Sequence, residues 1–254
     1  MFKRISIFAY GLFSYAIFFA TFLYALGFVG NFIVPRSIDG APGGDLIASA
    51  LIDVALLLAF AAQHSVMARP AFKRWFTRFI PESAERSTYV LASSLALIAL
   101  FYFWQPLGGI VWNIQHPVGK AFMVGAFFFG WSLVLVATFL INHFDLFGLR
   151  QIWLQLIGKP YTQLKFGTPG PYKLVRHPLY LGWFFAFWAA PTMTVTHLLF
   201  ALATTGYILI AIRLEERDLI DALGDDYRRY RERVPMIVPF LRGSRVKRLE
   251  SQLR

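Results

Sequence analysis

The sequence predicts an all-α integral membrane protein: a bundle of about five to six transmembrane helical segments, the last two a short hairpin, with a cytoplasmic helical C-terminal region. Three observations predict it. Hydrophobic residues make up 57% of the 254 positions and charged residues only 15%, a balance that a soluble domain of this length does not need. Several apolar runs are long enough to cross a hydrocarbon core of about 30 Å. The basic residues lie in short segments between those runs rather than on one soluble face.

Met1-Phe2-Lys3-Arg4 begins like a signal peptide, but the apolar run that follows is too long for one and no small-residue cleavage site ends it. It reads as a retained first span, Ser6 to Gly30. Leu46 to Met67, Thr88 to Trp104 and Val118 to Asn142 are the next three spans. The last apolar block, Pro178 to Ile212, is broken near Pro191-Thr192-Met193-Thr194. Its first piece is too short to span comfortably and its second is near the lower limit. A helical hairpin with a pinched turn explains this better than one long span.

Charge placement tests that topology independently. With six crossing segments, one side receives Lys3, Arg4, the loop with Arg69, Lys73, Arg74, Arg78 and Arg86, the segment from Arg150 to Arg176, and the tail. The other side receives only Arg36 and Lys120. Both termini are therefore expected in the cytoplasm. The second hairpin helix is expected to run on to about Leu223, with Gly224 as its stop. Asp225 to Arg233 forms a short charged helix that ends before Val234-Pro235.

Several function classes drop out. With no cysteine, there is no disulfide frame, thiolate zinc site, iron–sulfur cluster or cysteine nucleophile. A net charge of +11 would suit nucleic acid on a soluble face, but its distribution here points to anionic lipid headgroups, so the lipid bilayer is a partner and nucleic acid is not. Histidines 64, 116, 143, 177 and 197 contain no H-x-x-x-H pair, so no metal centre is expected. His116 and His197 map to the opposite membrane face, in loops. No G-x-G-x-x-G follows a strand, so a soluble Rossmann domain has no support.

Two polar clusters bracket the last apolar block: Arg176-His177-Pro178-Leu179-Tyr180 before it, and Arg213-Leu214-Glu215-Glu216-Arg217-Asp218 near its end. The hairpin topology puts both at one membrane face. Arg176 is a permanent cation with a bidentate fork for a carboxylate, and His177 donates or accepts near neutral pH. Pro178 starts a helix without wasting a donor, so the residues before it can bring backbone amides to the membrane mouth. Glu215 and Glu216 supply the opposite electrostatics, suited to a ribose hydroxyl, an amine or a sulfonium. Together they fit a zwitterionic, positively charged cofactor. The plainer alternative makes Arg176 and His177 interfacial anchors and pairs Glu215 with an adjacent arginine.

Pro169-Gly170-Pro171-Tyr172-Lys173-Leu174-Val175-Arg176-His177-Pro178-Leu179-Tyr180-Leu181-Gly182-Trp183, then Glu215 to Leu219, Gly224 to Tyr230 and Val234-Pro235 resemble, in order and spacing, the isoprenylcysteine carboxyl methyltransferase superfamily. The resemblance covers about residues 168 to 236. It implies a membrane methyltransferase that holds S-adenosyl-L-methionine with a membrane hairpin and the segment after it. It further implies Tyr172, Val175, Arg176, His177, Pro178, Tyr180, Glu215 and Glu216 as cofactor-binding residues. Upstream, Gln63 to Pro70, Glu85 to Val90, Asn142 to Gln151 and Pro191 to Thr194 are similar to the bacterial methanethiol S-methyltransferase family. That resemblance extends across most of the chain and implies a small thiol substrate, methanethiol converted to dimethyl sulfide, at a bacterial inner membrane.

A thiolate, not a thiol, is the competent nucleophile, so such an enzyme must help remove the proton. The candidates are His143, Asp145 and, more remotely, His64. A neutral imidazole has the better-matched pKa, whereas an aspartate would need burial to raise its own. His143 and Asp145 read as base and orienter; an isolated loop pair of this kind equally serves as a cap or turn. His64, on a largely apolar helix, reads equally as a hydrogen-bonded core histidine or a site residue, and Asp53, near the middle of its span, has to face the bundle interior. Tyr89, Arg78 and Arg86 are expected either to line the site from the basic loop or to meet lipid. Two other functions stay open: methylation of a carboxylate such as prenylcysteine or another small nucleophile, and a non-catalytic membrane subunit of the nitric-oxide-reductase-related group. The organisation expected is a four-span region over 1–142, a loop, hairpin and cofactor-binding region over 143–236, and a basic tail over 237–254.

Overall fold

Five helices are long and apolar enough to cross a membrane. They are α1 (Phe2–Gly30), α2 (Leu46–Ala68), α4 (Glu82–Phe103), α5 (Pro117–Ile141) and α9 (Val195–Leu223). The remaining elements are short: α3 (Pro70–Phe76), β1 (Ile110–Asn113), α6 (His143–Leu146), α7 (Leu149–Leu156), a 3-10 turn (Gly170–Lys173), α8 (Pro178–Trp188), β2 (Thr192–Thr194) and α10 (Asp225–Arg233). The structure, a computed structural model, describes residues 1–239; the basic tail from 240 onward lies outside the described residues.

The spans match the expected ones closely, with one informative exception. α4 starts at Glu82 rather than Thr88, because Glu82 and Glu85 in its first turn complement the helix dipole. Hydropathy sees charge there and misses the helix. The stop at Gly224 and the charged helix α10 are as expected. Ile237, at the start of the expected tail, is instead buried against Ile208 and Ile212 of α9.

α8 is the short arm of the hairpin. Pro178 occupies its first turn, and its 11 residues reach only about 16 Å at about 1.5 Å per residue. The chain after it, Ala189 to Thr194, is not helical. Non-helical backbone packed in an apolar bundle has to find its hydrogen bonds within the protein, and here β1 supplies several of them. β2 pairs antiparallel with β1, with Ile110 opposite Thr194 and Asn113 opposite Thr192. Ile114 N donates to Pro191 O at 2.9 Å, and the Trp112 indole donates to Ala190 O at 3.0 Å. This two-stranded ribbon is an addition to the all-α expectation.

α8 packs chiefly on α5, and two glycines set how closely. A Cβ on Gly182 would lie 2.7 Å from Gly130 O, and one on Gly130 would lie 2.6 Å from Gly182 O. The helices cross backbone to backbone, the small-residue packing that apolar solvent favours. α7 packs on α1 and α4, with Ile152 pressed against Gly11. Residues 143–236 thus share the bundle of the first four spans.

The opposite end is closed by polar contacts. His197, expected in a loop, is instead in the first turn of α9, 2% exposed, and donates from Nε2 to Phe187 O at 2.9 Å. Its Nδ1 lies 3.7 Å from Asp39 Oδ2, and Thr194 donates to the other oxygen of Asp39. Burial pushes the Asp39 carboxyl up, but His197, Thr194 and Asn31 together hold it below the usual range. Asp53 is fully buried about two turns into α2 and accepts the Gln105 amide at 2.8 Å. This ties α2 to the end of α4.

Candidate active site

The start of α8, the end of α9 and the chain after α10 converge at the end of the bundle that carries the N-terminus. α9 continues beyond its apolar stretch, so Glu215 and Glu216 sit on helix rather than in a loop. The chain then reverses through Gly224, at φ 58°, and α10 carries Val234-Pro235-Met236 back to the start of α8. Arg176 N donates to Pro235 O at 2.9 Å and His177 N to Met236 O at 3.1 Å. Tyr230 locks the same return by donating to Tyr172 O at 2.6 Å.

Arg176 and Glu216 form a buried pair, Nε to Oε1 at 2.7 Å. Nη1 of Arg176 also donates to Arg231 O at 3.0 Å and Val234 O at 2.5 Å. His177, 4% exposed, places Nε2 3.0 Å from the same Glu216 oxygen. Glu215, one residue earlier, is different. Its side chain is 44% exposed, and its Oε2 accepts the Tyr180 hydroxyl at 2.9 Å. Burial, with Glu215 and Tyr230 nearby, raises the Tyr172 hydroxyl well above the usual tyrosine range.

These contacts revise the expected division of labour. Arg176 and His177 do not face the two glutamates across a gap; they grip Glu216 directly, and their backbone amides already serve Pro235 and Met236. The guanidinium fork therefore ties the start of α8 to α9, to α10 and to the chain after it. Val175, at 2%, and Pro178 are buried packing residues. Of the polar groups here, the Glu215 side chain is the exposed one, while the Tyr180 and Tyr172 rings are partly buried beside it.

The acceptor-side candidates fall in separate places. His143 is 3% exposed, with Nε2 2.8 Å from the Tyr15 hydroxyl and Nδ1 2.9 Å from Thr138 Oγ1. Phe139 stacks on it at 4.3 Å and Phe147 lies at 4.7 Å. Burial holds its pKa below the usual histidine value. Asp145 does not orient it. The carboxylate pairs with Arg150 at 2.9 Å and accepts from Tyr161 at 3.2 Å, fastening the loop beyond α7. Among the described residues no hydrogen bond joins either one to the Glu215 cluster. His64 is bonded to Tyr89, its Nε2 2.8 Å from the hydroxyl, and Nδ1 is 3.1 Å from Ser93 Oγ.

Sequence reasoning missed Tyr207 and gave Ser65 and Asp218, which lie in segments it singled out, no role of their own. Ser65 Oγ meets the Tyr207 hydroxyl at 3.1 Å, and Arg69 pairs with Asp218 at 2.9 Å. A signal existed: Tyr207 and Asp218 are about three helical turns apart and share a face. That face of α9 meets α2.

The chain is 54% identical to a methanethiol S-methyltransferase of Crocosphaera subtropica, over 94% of each chain. It is 50% identical to a methanethiol S-methyltransferase of Mycobacterium tuberculosis, over 94% of this chain and 98% of that one. Nurim of Sus scrofa is 30% identical over 66% of each chain. No family model and no solved structure matches. With its helical bundle and polar end cluster, the chain is a multi-pass membrane methyltransferase. Within that class it belongs to the methanethiol S-methyltransferase family.

Proposed function

We propose that the chain transfers the methyl group of S-adenosyl-L-methionine to methanethiol, giving dimethyl sulfide, at the cytoplasmic face of a bacterial inner membrane. The observation that carries the reading is its 54% identity, along nearly the whole chain, to a protein named for that activity. The site's charge balance supports the donor. Arg176 neutralises Glu216, whereas Glu215, 44% exposed, has only the Tyr180 hydroxyl and, at 4.0 Å, His177 Nδ1 as recorded partners among the described residues. A positively charged ligand is the complement of that arrangement.

S-adenosyl-L-methionine supplies an electrophilic methyl carbon on a cationic sulfur. Glu215, steadied by Tyr180, is suited to its amine, ribose hydroxyls or sulfonium, and the ring faces of Tyr172 and Tyr180 suit a cation. Arg176, His177 and Glu216 act one layer further in, fixing the relation between α8, α9 and the returning chain. Glu215 must not bind the ground-state cation too tightly, because uniform binding does not accelerate transfer. Aligning acceptor sulfur, methyl carbon and leaving sulfur is the main work of the site. A water-poor pocket favours the reaction, since thiolate and sulfonium become two neutral products.

Membranes containing the protein, given S-adenosyl-L-methionine and methanethiol, are expected to release dimethyl sulfide above membranes lacking it. Cofactor binding without methyl transfer to any thiol would sink the reading. Methylation of a prenylcysteine carboxylate instead would move the chain to a different acceptor class.

A further inference from the structure

We propose that the cleft between α10 and the 3-10 turn binds the phosphodiester headgroup of an anionic phospholipid. Its cavity of about 330 Å³ is lined by Phe166, Lys173, Arg229, Tyr230, Arg233 and Val234. Asp226 also borders it, and with Arg229, Tyr230 and Arg233 it recurs at helical spacing, so one face of α10 forms a wall. Three cations meet one carboxylate there. Arg229 is paired with Asp226 at 2.5 Å. Lys173 and Arg233, both exposed, form no ion pair among the described residues. They are left for a ligand, and an ammonium beside a planar guanidinium suits the oxygens of a phosphate.

The apolar surroundings decide between a lipid and a soluble phosphate. Phe166, itself a wall of the cleft, is 42% exposed, Leu164 is 43% exposed and Leu174 is 59% exposed. Leu174 directly follows Lys173, and the chain then enters the apolar run of α8 at Pro178. A soluble anion gains nothing from those three side chains. Acyl chains cover them while the phosphate meets Lys173 and Arg233, the arrangement in which basic side chains at the edge of a bilayer attract anionic headgroups.

Occupation of the cleft has a consequence for the cofactor, and this part rests on the methyl-transfer reading above. Tyr230 and Val234 line the cleft and also hold the polar end of the bundle together. Tyr230 donates to Tyr172 O at 2.6 Å, and Val234 O accepts from Arg176 Nη1 at 2.5 Å. A headgroup that steadies α10 steadies both contacts. Lipid that binds this ordered form then tightens S-adenosyl-L-methionine binding, and the cofactor tightens lipid binding by the same factor.

The test uses the full chain in detergent, titrated with dioctanoyl-phosphatidylglycerol or dioctanoyl-phosphatidylcholine. Bound lipid is counted by native mass spectrometry, inorganic phosphate is added as a competitor, and S-adenosyl-L-methionine affinity is read by calorimetry. Lys173→Gln with Arg233→Gln is expected to weaken phosphatidylglycerol binding about tenfold or more, several-fold per lost charge, and the charge-matched pair Arg74→Gln with Arg78→Gln less than about twofold. Equal losses in the two pairs would show net charge alone at work and overturn the site. Phosphatidylcholine binding as tightly as phosphatidylglycerol, or inorganic phosphate displacing the lipid at matched concentration, would also overturn it. So would a loss of cofactor affinity by the Lys173/Arg233 pair without lipid, because the cleft would then belong to the cofactor pocket. Phosphatidylglycerol is expected to tighten cofactor binding about threefold or more in the wild-type chain and not in that pair; equal tightening in both would overturn the coupling. Lys173→Gln alone, at an exposed position, carries the same comparisons if the double variant does not fold. A wild-type chain that binds phosphatidylglycerol but no S-adenosyl-L-methionine would overturn the functional reading and leave the lipid site standing.

Discussion

Glu215 and Glu216 are neighbours with opposite fates. Consecutive helix positions point about 100° apart, so the rotation of α9 that buries Glu216 against Arg176 and His177 turns Glu215 outward, where it is 44% exposed. Substitution separates them. Glu216→Gln breaks a buried ion pair, a change that costs about 3–5 kcal/mol, and is expected to lower the midpoint of thermal unfolding in detergent. Glu215→Gln is expected to leave that midpoint in place and to weaken S-adenosyl-L-methionine binding about tenfold, as a lost charge-assisted contact of about 1.4 kcal/mol would. The reverse pattern would mean that the wrong glutamate has been assigned to the ligand. The pair itself was legible in the sequence. Which member faces outward was not, because helix rotation is set by partners as distant as Val234 and Pro235.

At the level of elements, the crossing of α5 and α8 is the tightest contact near the site. Gly182→Ala would put a Cβ 2.8 Å from Val134 Cγ2 and 2.9 Å from Val134 N, and backbone cannot yield as a flexible side chain does. We expect a destabilisation of about 1–3 kcal/mol, seen as earlier thermal unfolding, with cofactor affinity falling as α8 shifts. Unchanged unfolding would show that the helices can part without cost. Helix boundaries such as Pro178, Pro191 and Gly224 were readable from residue chemistry alone. β1 was not: Ile110-Val111-Trp112-Asn113 is too short to carry a period, and only its partner β2 defines it. The His143–Asp145 pairing failed for a related reason. Proximity in sequence suggested a couple, but Thr138, Tyr15 and Arg150, brought in by other elements, took each side chain separately.

For the whole molecule, we propose that the short α8 adds a sixth crossing to the five long apolar helices, so that the distribution of Lys and Arg predicts both ends of the described chain in the cytoplasm. The cysteine-free sequence makes this easy to check. Gly44 and Gly167 have nothing within 4 Å of an added Cβ and fall on opposite faces. A membrane-impermeant maleimide applied to intact spheroplasts is expected to label Gly44→Cys and to reach Gly167→Cys only after lysis. Labelling of Gly167→Cys in intact cells would invert the topology and place the site on the wrong side of its cofactor. The helical bundle was legible because hydropathy is summed over many residues.

The short α8 also says something about how the protein is made. An 11-residue apolar helix is too brief to hold its own place in a bilayer, and the extended residues after it need β1 for their hydrogen bonds. β1 leaves the ribosome well before them. The hairpin therefore enters a bundle whose earlier helices are already in place, and its arrival is secured from the far side of the membrane. Only when Pro235 and Met236 have been synthesised can their carbonyls close over Arg176 and His177. A product truncated before Pro235 would therefore lack the carbonyls that cap the amides of Arg176 and His177.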